Sequence, residues 1–410
     1  MRKNLYLSMF VVLVAALVLS ACGSGASTPP PAGGGSVPNT GNTPVTSGGS
    51  TSVPTTASTA MPAGTSMPAG TALPAGSVQL NGSGSTFQYP AMSQWAYAYS
   101  YVDPSVAVNY QPTGSGAGKT AIINNTVDFA GSDSVLKPDE VTAGKDLQML
   151  PILAGAVVLT YNIPEIDPTK DPALILDGKT LVGIYNATIT KWNDPTIVAL
   201  NPGLASKLPA KQITVVHRSD GSGTTEIFTN ALTAFSSDWA AGHGTTVEWP
   251  ADKAGNGIGG KGSQGVAAAI QNTPESIGYI EYSYATQNKL PFTQMVNAAG
   301  KTVTASPDSV TSAMTDFANA FGPDLTAVIV NAKGDASWPI AGYTYTIIHM
   351  TNMTDCTKAT KLVAFINWFL TDQAAQKQAT SIGFVPLPDA VRSQVLSKLG
   401  QVQCQGKPVK

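Results

Sequence analysis

The residue types that could do chemistry are densest in residues 217–228, which read H-R-S-D-G-S-G-T-T-E-I-F. The apolar, β-branched run 213–216 precedes them and predicts a strand, and residues 225–228 predict the first turn of a helix. A strand, a Gly/Ser/Thr turn and a helix N-terminus together favour an anion site, because the first N–H groups of a helix lack intrahelical acceptors and carry partial positive charge. Arg218 adds a fork of N–H donors suited to a tetrahedral oxyanion. The alternative is a capped helix after a strand, with Arg218 on the surface.

Two more Gly/Ser/Thr turns, 81–87 (N-G-S-G-S-T-F) and 113–118 (T-G-S-G-A-G), precede helical patterns. The second turn follows the alternating strand pattern 106–110, and another short strand pattern, 127–133, ends on Asp133. In α/β proteins, ligands bind at the carboxyl ends of strands and at the adjoining helix starts. We therefore expect ligand-facing groups at these turns.

The first 78 residues predict export and a tether. A basic tripeptide, M-R-K, is followed by an uncharged apolar run and then by L-S-A-C, which predicts a signal peptide over 1–21. The ending L-S-A-C resembles the lipobox of bacterial lipoproteins, in which the cysteine (here Cys22) becomes the lipid-bearing first residue. Ordinary cleavage with Cys22 incidental is the alternative. Residues 23–78 hold no charged or aromatic side chain, so we expect the lipidated cysteine to begin a disordered Gly/Pro/Ser/Thr tether over 22–78.

The predicted location is therefore extracytoplasmic, in the periplasm or on the outer face of the cytoplasmic membrane, with a lipid anchor in a bacterial membrane. The remaining chain of about 330 residues exceeds what one hydrophobic core comfortably serves, so two lobes are expected. Strand and helix patterns alternate, which predicts the α/β class, and the runs 157–161 and 343–348 are suited to carrying the chain between lobes. We expect lobe one over 79–160 and 345–410 and lobe two over 161–344. The formal net charge of −2 argues against a nucleic-acid partner.

The sequence contains three cysteines and three histidines, which limits the metal and redox chemistry that it can support. If Cys22 carries lipid, Cys356 and Cys404 remain as an even pair in an oxidising compartment, either joined as a disulfide or both reduced. Neither belongs to a C-x-x-C motif, and the histidines, at positions 217, 243 and 349, show no metal-ligand spacing. We therefore expect no metal and no cofactor.

Two motifs with catalytic associations are incomplete. Residues 134–137 fit S-x-x-K, but the S-D-N and K-T-G partners are absent and Pro138 follows directly. Residues 256–262 resemble a P-loop, but Gly262 stands where the Mg²⁺-binding Ser or Thr belongs. No G-x-S-x-G elbow is present. The sequence does not predict an enzyme.

Taken together, these stretches resemble a known family, the periplasmic phosphate-binding protein of the bacterial high-affinity phosphate ABC importer. The resemblance runs in colinear order over about residues 80–399. The matching motifs are 82–87 (G-S-G-S-T-F), 114–118 (G-S-G-A-G), 125–133 (N-T-V-D-F-A-G-S-D), 176–181 (L-D-G-K-T-L), 191–194 (K-W-N-D), 201–203 (N-P-G), 218–224 (R-S-D-G-S-G-T), 258–262 (I-G-G-K-G) and 277–282 (I-G-Y-I-E-Y). The family's fold is the type II periplasmic-binding-protein fold, in which each of two lobes is a mixed sheet flanked by helices and two crossing strands form the hinge.

The resemblance implies a monomer that closes on one inorganic phosphate and delivers it to the membrane permease subunits. The implied lobe-one ligands are the Thr86 hydroxyl, the Phe87 N–H, Ser115 and Asp133. The implied lobe-two ligands are Arg218, Ser222, the N–H groups of Gly223 and Thr224, and the Thr224 hydroxyl, with Asp220 holding Arg218 in place. Asp133 would accept a hydrogen bond from a protonated phosphate oxygen, whereas sulfate at neutral pH has no proton to offer.

The sequence departs from the family in three places. Gln88 stands where the family usually has Pro, the order Ala130-Gly131 differs from the common Gly-Ala, and Ser134 replaces a small apolar residue. None of these changes removes a ligand group, although Ser134 could alter the orientation of Asp133. Two other functions stay open: a receptor for sulfate, molybdate or phosphonate on the same fold, and a secreted phosphatase.

Overall fold

The computed structural model describes residues 76–409, which belong to one compact unit. The predicted signal peptide 1–21, Cys22 and nearly all of the predicted tether 22–78 lie outside these residues. Within the described part, no helix is both long and apolar enough to cross a membrane.

Fourteen strands occur in the described residues, and nine of them form one mixed sheet. In chain order the strands are β1 Val78–Gly84, β2 Val106–Gln111, β3 Phe129–Ser132, β4 Leu147–Asn162, β5 Ile175–Asp177, β6 Thr214–Arg218, β7 Gly257–Gly260, β8 Ser276–Glu281, β9 Gln294–Val296, β10 Thr302–Val303, β11 Ala341–His349, β12 Val385–Pro386, β13 Gln403–Cys404 and β14 Lys407–Pro408.

Thirteen α-helices flank these strands in the described residues. They are α1 Tyr89–Val102, α2 Ser115–Ile123, α3 Pro138–Gly144, α4 Gly178–Tyr185, α5 Pro195–Leu200, α6 Gly223–Phe235, α7 Pro250–Lys253, α8 Gly262–Asn272, α9 Tyr282–Gln287, α10 Pro307–Asp316, α11 Cys356–Thr371, α12 Gln373–Ser381 and α13 Asp389–Leu399.

The large sheet has the strand order β2-β1-β3-β11-β4-β8-β6-β7, and β12 pairs with β4. β1 is parallel to β2 and β3, and β6 is parallel to β7 and β8, so each end of the sheet is a parallel unit. Helices α1, α2 and α11 pack on the β1–β3 end, which we call lobe one, and α6 and α8 pack on the β6–β8 end, which we call lobe two. Because parallel strands end at the same edge, each lobe presents its turns on one side.

Two antiparallel strands, β4 and β11, join the lobes. β4 pairs with β11 through its first part and with β8 through 157–162, while β11 also pairs with β3. Gly155 and Gly342 are register partners, and each receives a side chain from a different lobe. A Cβ at Gly155 would lie 2.9 Å from the Phe87 ring, and a Cβ at Gly342 would lie 2.4 Å from Ile227. The two glycines therefore let both lobes pack directly on the hinge.

The strand expected over 157–161 is the last third of a strand that begins at Leu147. The first part contains Pro151 and Gly155, residues that usually argue against a strand interior. β4 accommodates the proline at an irregularity, where Thr344 faces Leu153 and Tyr345 faces Pro151, so that one β4 residue is left over. The predicted strand is too short because Pro151 and Gly155 interrupt its pattern, whereas the structure accommodates Pro151 at this irregularity and Gly155 in regular pairing with Gly342.

Cys356 and Cys404, which the sequence left as either a disulfide or two thiols, are joined by a disulfide. The bond links the first residue of α11 to β13 and thus fastens the C-terminal hairpin to lobe one. Near the other end of α11, the ring of Phe369 stacks on Trp95 of α1 at 4.4 Å between centroids.

Candidate anion-binding site

The site lies where the carboxyl ends of β1, β3 and β6 approach the N-terminal ends of α2 and α6. All the residues that the resemblance implied as ligands lie at these ends and are buried: Thr86, Phe87, Ser115, Asp133, Arg218, Ser222, Gly223 and Thr224. Arg218 Nη1 donates to Thr86 Oγ1 at 3.1 Å, across the two lobes. A Cβ on Gly223 would lie 2.6 Å from Ser115 Oγ and 2.7 Å from Asp133 Cβ. The structure therefore brings all eight into one place.

Arg218, at the end of β6, is held by one acidic partner. Its Nε and Nη2 donate to Asp220 Oδ1 and Oδ2 at 2.7 and 2.5 Å, and Asp220 Oδ1 also accepts from the Gly262 N–H at 3.0 Å. Burial raises the pKa of Asp220, but the hydrogen bonds and the positive charge of Arg218 lower it by more. The pKa of Asp220 therefore lies below its ordinary value. With Nε and Nη2 occupied, Nη1 is the end of the fork that faces lobe one.

The start of α6 supplies neutral donors. The Ser222 side chain caps the helix by accepting from the Thr225 N–H at 3.1 Å. This leaves the N–H groups of Gly223 and Thr224, which a helix of this kind cannot satisfy internally. Thr224 Oγ1 is also buried and has no hydrogen-bond partner. Because an unpartnered buried hydroxyl costs free energy, this group is suited to bonding a ligand oxygen.

Asp133, just after β3, is the acid at the centre of the lobe-one half. Its Oδ1 accepts from Ser85 Oγ at 2.5 Å and from Thr344 Oγ1 at 2.7 Å, and its Oδ2 accepts from Ser115 Oγ at 3.4 Å. Burial raises the pKa of Asp133 to about 6, against the opposing effect of these hydroxyl donors and of Arg218. The carboxyl is therefore mostly ionised at neutral pH and becomes neutral in mild acid.

The lobes touch around the site. The Gly116 N–H at the start of α2 donates to the Gly221 carbonyl at 2.9 Å, and Thr86 Oγ1 lies 3.1 Å from Ser263 Oγ at the start of α8. Gly114, with a φ of +95°, allows this approach, since a Cβ there would lie 2.3 Å from Asp220 Oδ2. These contacts shut the site from solvent.

One implied ligand group is already used within the protein. The Phe87 N–H donates to Ser85 Oγ at 3.0 Å, so it is not free in this arrangement. Three further residues border the site without having been expected, namely Ser85, Ser263 and Thr344. Ser85 is adjacent to Thr86 in the same turn and could have been considered. Thr344 is 211 residues from Asp133 in the chain and carried no local signal.

Two departures from the family compensate each other. Gln88 is fully buried and its Nε2 donates to Tyr110 Oη at 3.0 Å. A Cβ at Gly131 would lie 1.5 Å from Gln88 Nε2 and 2.1 Å from Tyr110 Oη. With Gln88 present, a side chain at position 131 would therefore force the Gln88 amide and the Tyr110 hydroxyl to move. The third departure, Ser134, bonds Ser132, and in the described residues no hydrogen bond joins its hydroxyl to the Asp133 carboxylate.

A separate cavity of about 690 Å³ lies along α4 and α5 and is bordered by Asp177, Lys179 and Asp238. It is an open groove, whereas the site above is closed and rich in buried donors. Among the described residues, no group of three or more His, Cys, Asp or Glu could hold a metal ion.

Two α/β lobes that close over buried polar groups at their strand ends define a two-lobed substrate-binding protein. A family model for the PBP superfamily domain matches residues 52–373. The phosphate-binding protein PstS of Xylella fastidiosa (strain 9a5c) is 40% identical over 323 residues, which cover 78% of this chain and 84% of that relative. PstS of Haemophilus influenzae is 39% identical over 322 residues, covering 78% and 92%.

A solved structure shares the fold. The high-affinity periplasmic phosphate-binding protein PfluDING, described with phosphate bound, superposes with a TM-score of 0.62 at 24% identity, covering 78% of this chain and 93% of that one. The chain therefore belongs to the PBP superfamily and, within it, to the family of PstS phosphate-binding proteins. The resemblance and the α/β periplasmic-binding-protein fold expected from the sequence are both confirmed.

Proposed function

We propose that this protein binds inorganic phosphate outside the cytoplasmic membrane and delivers it to the permease subunits of a phosphate ABC importer. One observation carries the proposal: a buried arginine and a helix N-terminus face a buried carboxylate across touching lobes. The names of the PstS relatives support the same ligand. The ligand would be one phosphate per monomeric chain.

The mixture of groups suits phosphate. A buried dianion is costly unless nearly every oxygen is hydrogen-bonded, and the site offers many neutral donors and one guanidinium. The carboxylate of Asp133 would repel a fully deprotonated anion but can accept a proton-bearing oxygen. Sulfate would meet that carboxylate without a hydrogen to share, so selection against it follows from a missing donor.

We assign the ligand roles by lobe. Lobe one, over 79–160 and 345–410, contributes the following groups: the Thr86 hydroxyl, Ser115, Asp133 and, once released from Ser85, the Phe87 N–H. Lobe two, over 161–344, contributes Arg218, Ser222, and the N–H groups of Gly223 and Thr224 together with the Thr224 hydroxyl. Asp220 orients Arg218 and offsets part of its charge.

Calorimetry of the purified chain with phosphate and with sulfate tests this function. We expect one tight phosphate site and sulfate binding weaker by a factor on the order of 10⁴. Equal affinity for sulfate would support the other oxyanion receptors and overturn the proposal. Turnover of a phosphomonoester, assayed with added divalent metals, is expected to be absent, because we propose a receptor and not a phosphatase.

We further propose that Cys22 carries the lipid that anchors the protein, after removal of the signal peptide 1–21. The supporting observation is the sequence L-S-A-C followed by a tether-like composition. Labelling of cells with a palmitate analogue should mark the wild-type protein and leave Cys22→Ala unlabelled. Labelling of Cys22→Ala at the wild-type level would contradict the anchor and leave phosphate binding untouched.

A further inference from the structure

The two carboxylate oxygens of Asp133 are in different situations. Oδ1 accepts hydrogen bonds from two hydroxyls, Ser85 Oγ at 2.5 Å and Thr344 Oγ1 at 2.7 Å. Oδ2 has one contact, to Ser115 Oγ, at the long distance of 3.4 Å. A carboxylate oxygen accepts about two good hydrogen bonds, so Oδ1 is saturated and Oδ2 is not.

The direction of the Ser85 hydrogen bond is fixed by its neighbours. Ser85 Oγ already accepts from the Phe87 N–H at 3.0 Å, and an N–H can only donate. The single hydroxyl hydrogen of Ser85 therefore points to Asp133. The Ser85 backbone is also held, because its carbonyl accepts from Tyr110 Oη at 3.0 Å and its N–H donates to the Gly131 carbonyl at 2.8 Å.

Thr344 approaches Asp133 from the strand that crosses between the lobes. It lies in β11 at the irregularity where the pairing with β4 shifts, and it is fully buried. Thr344 Oγ1 makes its hydrogen bond to Asp133 Oδ1, and β-branching restricts its side-chain rotation. A bulge next to a functional group commonly redirects one side chain, and here it directs this hydroxyl.

We propose that Ser85 and Thr344 are positioning residues that saturate Oδ1 of Asp133 and so reserve Oδ2 for the proton of the ligand. Neither touches the ligand in this account. They fix the orientation of the carboxylate and stabilise its ionised form, which is the form that accepts a proton-bearing oxygen. The proposal rests on the proposed function and adds the residues that set its selectivity.

The electrostatics of the site agree with this role. Burial raises the pKa of Asp133 to about 6, while the hydrogen bonds from Ser85 and Thr344 lower it. Loss of either donor would move the pKa further towards neutrality. The ionisable groups that face Asp133 from other elements are Arg218, Glu226, Glu281, Tyr110, Tyr343 and Tyr345. Glu281, whose pKa burial raises to about 8, stays neutral through the acid range, and the tyrosines do as well.

The test compares Thr344→Val with a matched control on the same strand, Thr346→Val. Thr346 is also fully buried, but its Oγ1 has no hydrogen-bond partner, so its removal takes nothing from Asp133. Phosphate affinity is measured by calorimetry across the acid and neutral range, with sulfate as competitor. The ligand's own titration is common to all variants and cancels in the comparison.

For Thr344→Val we expect the acid midpoint of phosphate binding to rise by about one pH unit, since a hydrogen bond to a charged group is lost. The ratio of phosphate to sulfate affinity should fall by roughly tenfold at a pH below both midpoints, and by only about twofold at neutral pH. Thr346→Val should keep both values, and Thr344→Ser, which retains a hydroxyl, should restore them. Ser85→Ala provides the same measurement from the other donor if Thr344→Val does not fold.

If both Thr344→Val and Ser85→Ala keep the wild-type acid midpoint and the wild-type ratio of phosphate to sulfate affinity, the positioning role is overturned and phosphate binding stays in place. Absence of phosphate binding by the wild-type protein would instead overturn the proposed function and this inference with it. A loss of affinity in Thr344→Val without any shift of the midpoint would point to general packing, and it too would contradict the proposal.

Discussion

The two lobes contribute unlike chemistry to one site. In the proposed function, lobe two attracts the anion through Arg218 and the start of α6. Lobe one holds Asp133 among hydroxyl donors, and the carboxylate would repel a bare anion and accept a hydrogen bond from one that carries a proton. The difference teaches that attraction and selection need not be supplied by the same residues.

The comparison also shows why formal charge is a poor guide to this site. The site contains one guanidinium, that of Arg218, and two carboxylates, those of Asp220 and Asp133. Binding of an anion must therefore draw on oriented neutral donors, such as the N–H groups at the start of α6 and the buried Thr224 hydroxyl. The same reasoning explains why a chain with a net charge of −2 can be an anion receptor.

The largest effect is expected from Asp133→Asn, which removes the selecting group and keeps the size of the side chain. The amide can donate to sulfate, so the ratio of phosphate to sulfate affinity should fall on the order of 10³- to 10⁴-fold. Competition calorimetry measures the ratio. Asp128→Asn is the control, because Asp128 lies in lobe one but pairs with Lys358 at 3.0 Å. If Asp133→Asn keeps the wild-type ratio of phosphate to sulfate affinity, lobe one does not supply the selectivity through Asp133.

Arg218→Met tests the attracting half. The substitution removes the guanidinium and leaves the partly buried Asp220 without its cationic partner, so affinity should fall at least roughly a hundredfold. Phosphate and sulfate should lose affinity together, which leaves their ratio nearly unchanged. Arg392→Met is the matched control, since Arg392 pairs with Asp389 on α13. A selective loss of phosphate alone would show that lobe two also discriminates.

Gly223→Ala tests whether both halves must meet. Its Cβ would lie 2.6 Å from Ser115 Oγ and 2.7 Å from the Asp133 backbone N, so the lobes could not approach as closely. We expect a loss of phosphate affinity of tens of fold, in keeping with the cost of overpacking a tight contact. Gly221→Ala is milder, because its Cβ would lie 3.3 Å from Gly116 Cα. Small-angle scattering with and without phosphate would show the closure, and equal affinity of the two variants would contradict this account.

The parts of the site that the sequence predicted are local in the chain. The turn at 218–224 carries its own strand, glycines and helix start, so its pattern could be interpreted without the fold. Thr344 could not be found this way, because only the crossing of β11 past β3 brings it to Asp133. Gln88 and Gly131 are separate departures in the sequence, and only the packing shows that the Gln88 amide occupies the space that a side chain at 131 would need. The length of β4 was underestimated because Pro151 and Gly155 interrupt its pattern.

The smallest expected effect is the pH dependence of the ratio of phosphate to sulfate affinity. Burial raises the pKa of Asp133 to about 6, so the proton acceptor is present above that pH and is lost as the pH falls through it. The ratio of phosphate to sulfate affinity should therefore decline by about tenfold per pH unit below the pKa. In Asp133→Asn this decline should be absent, and only the change caused by the titration of phosphate itself should remain. Glu226, whose pKa burial also raises, borders the same cavity as Asp133, and Glu226→Gln should retain the wild-type decline. A flat wild-type ratio through mild acid would show that lobe one does not select by accepting a proton.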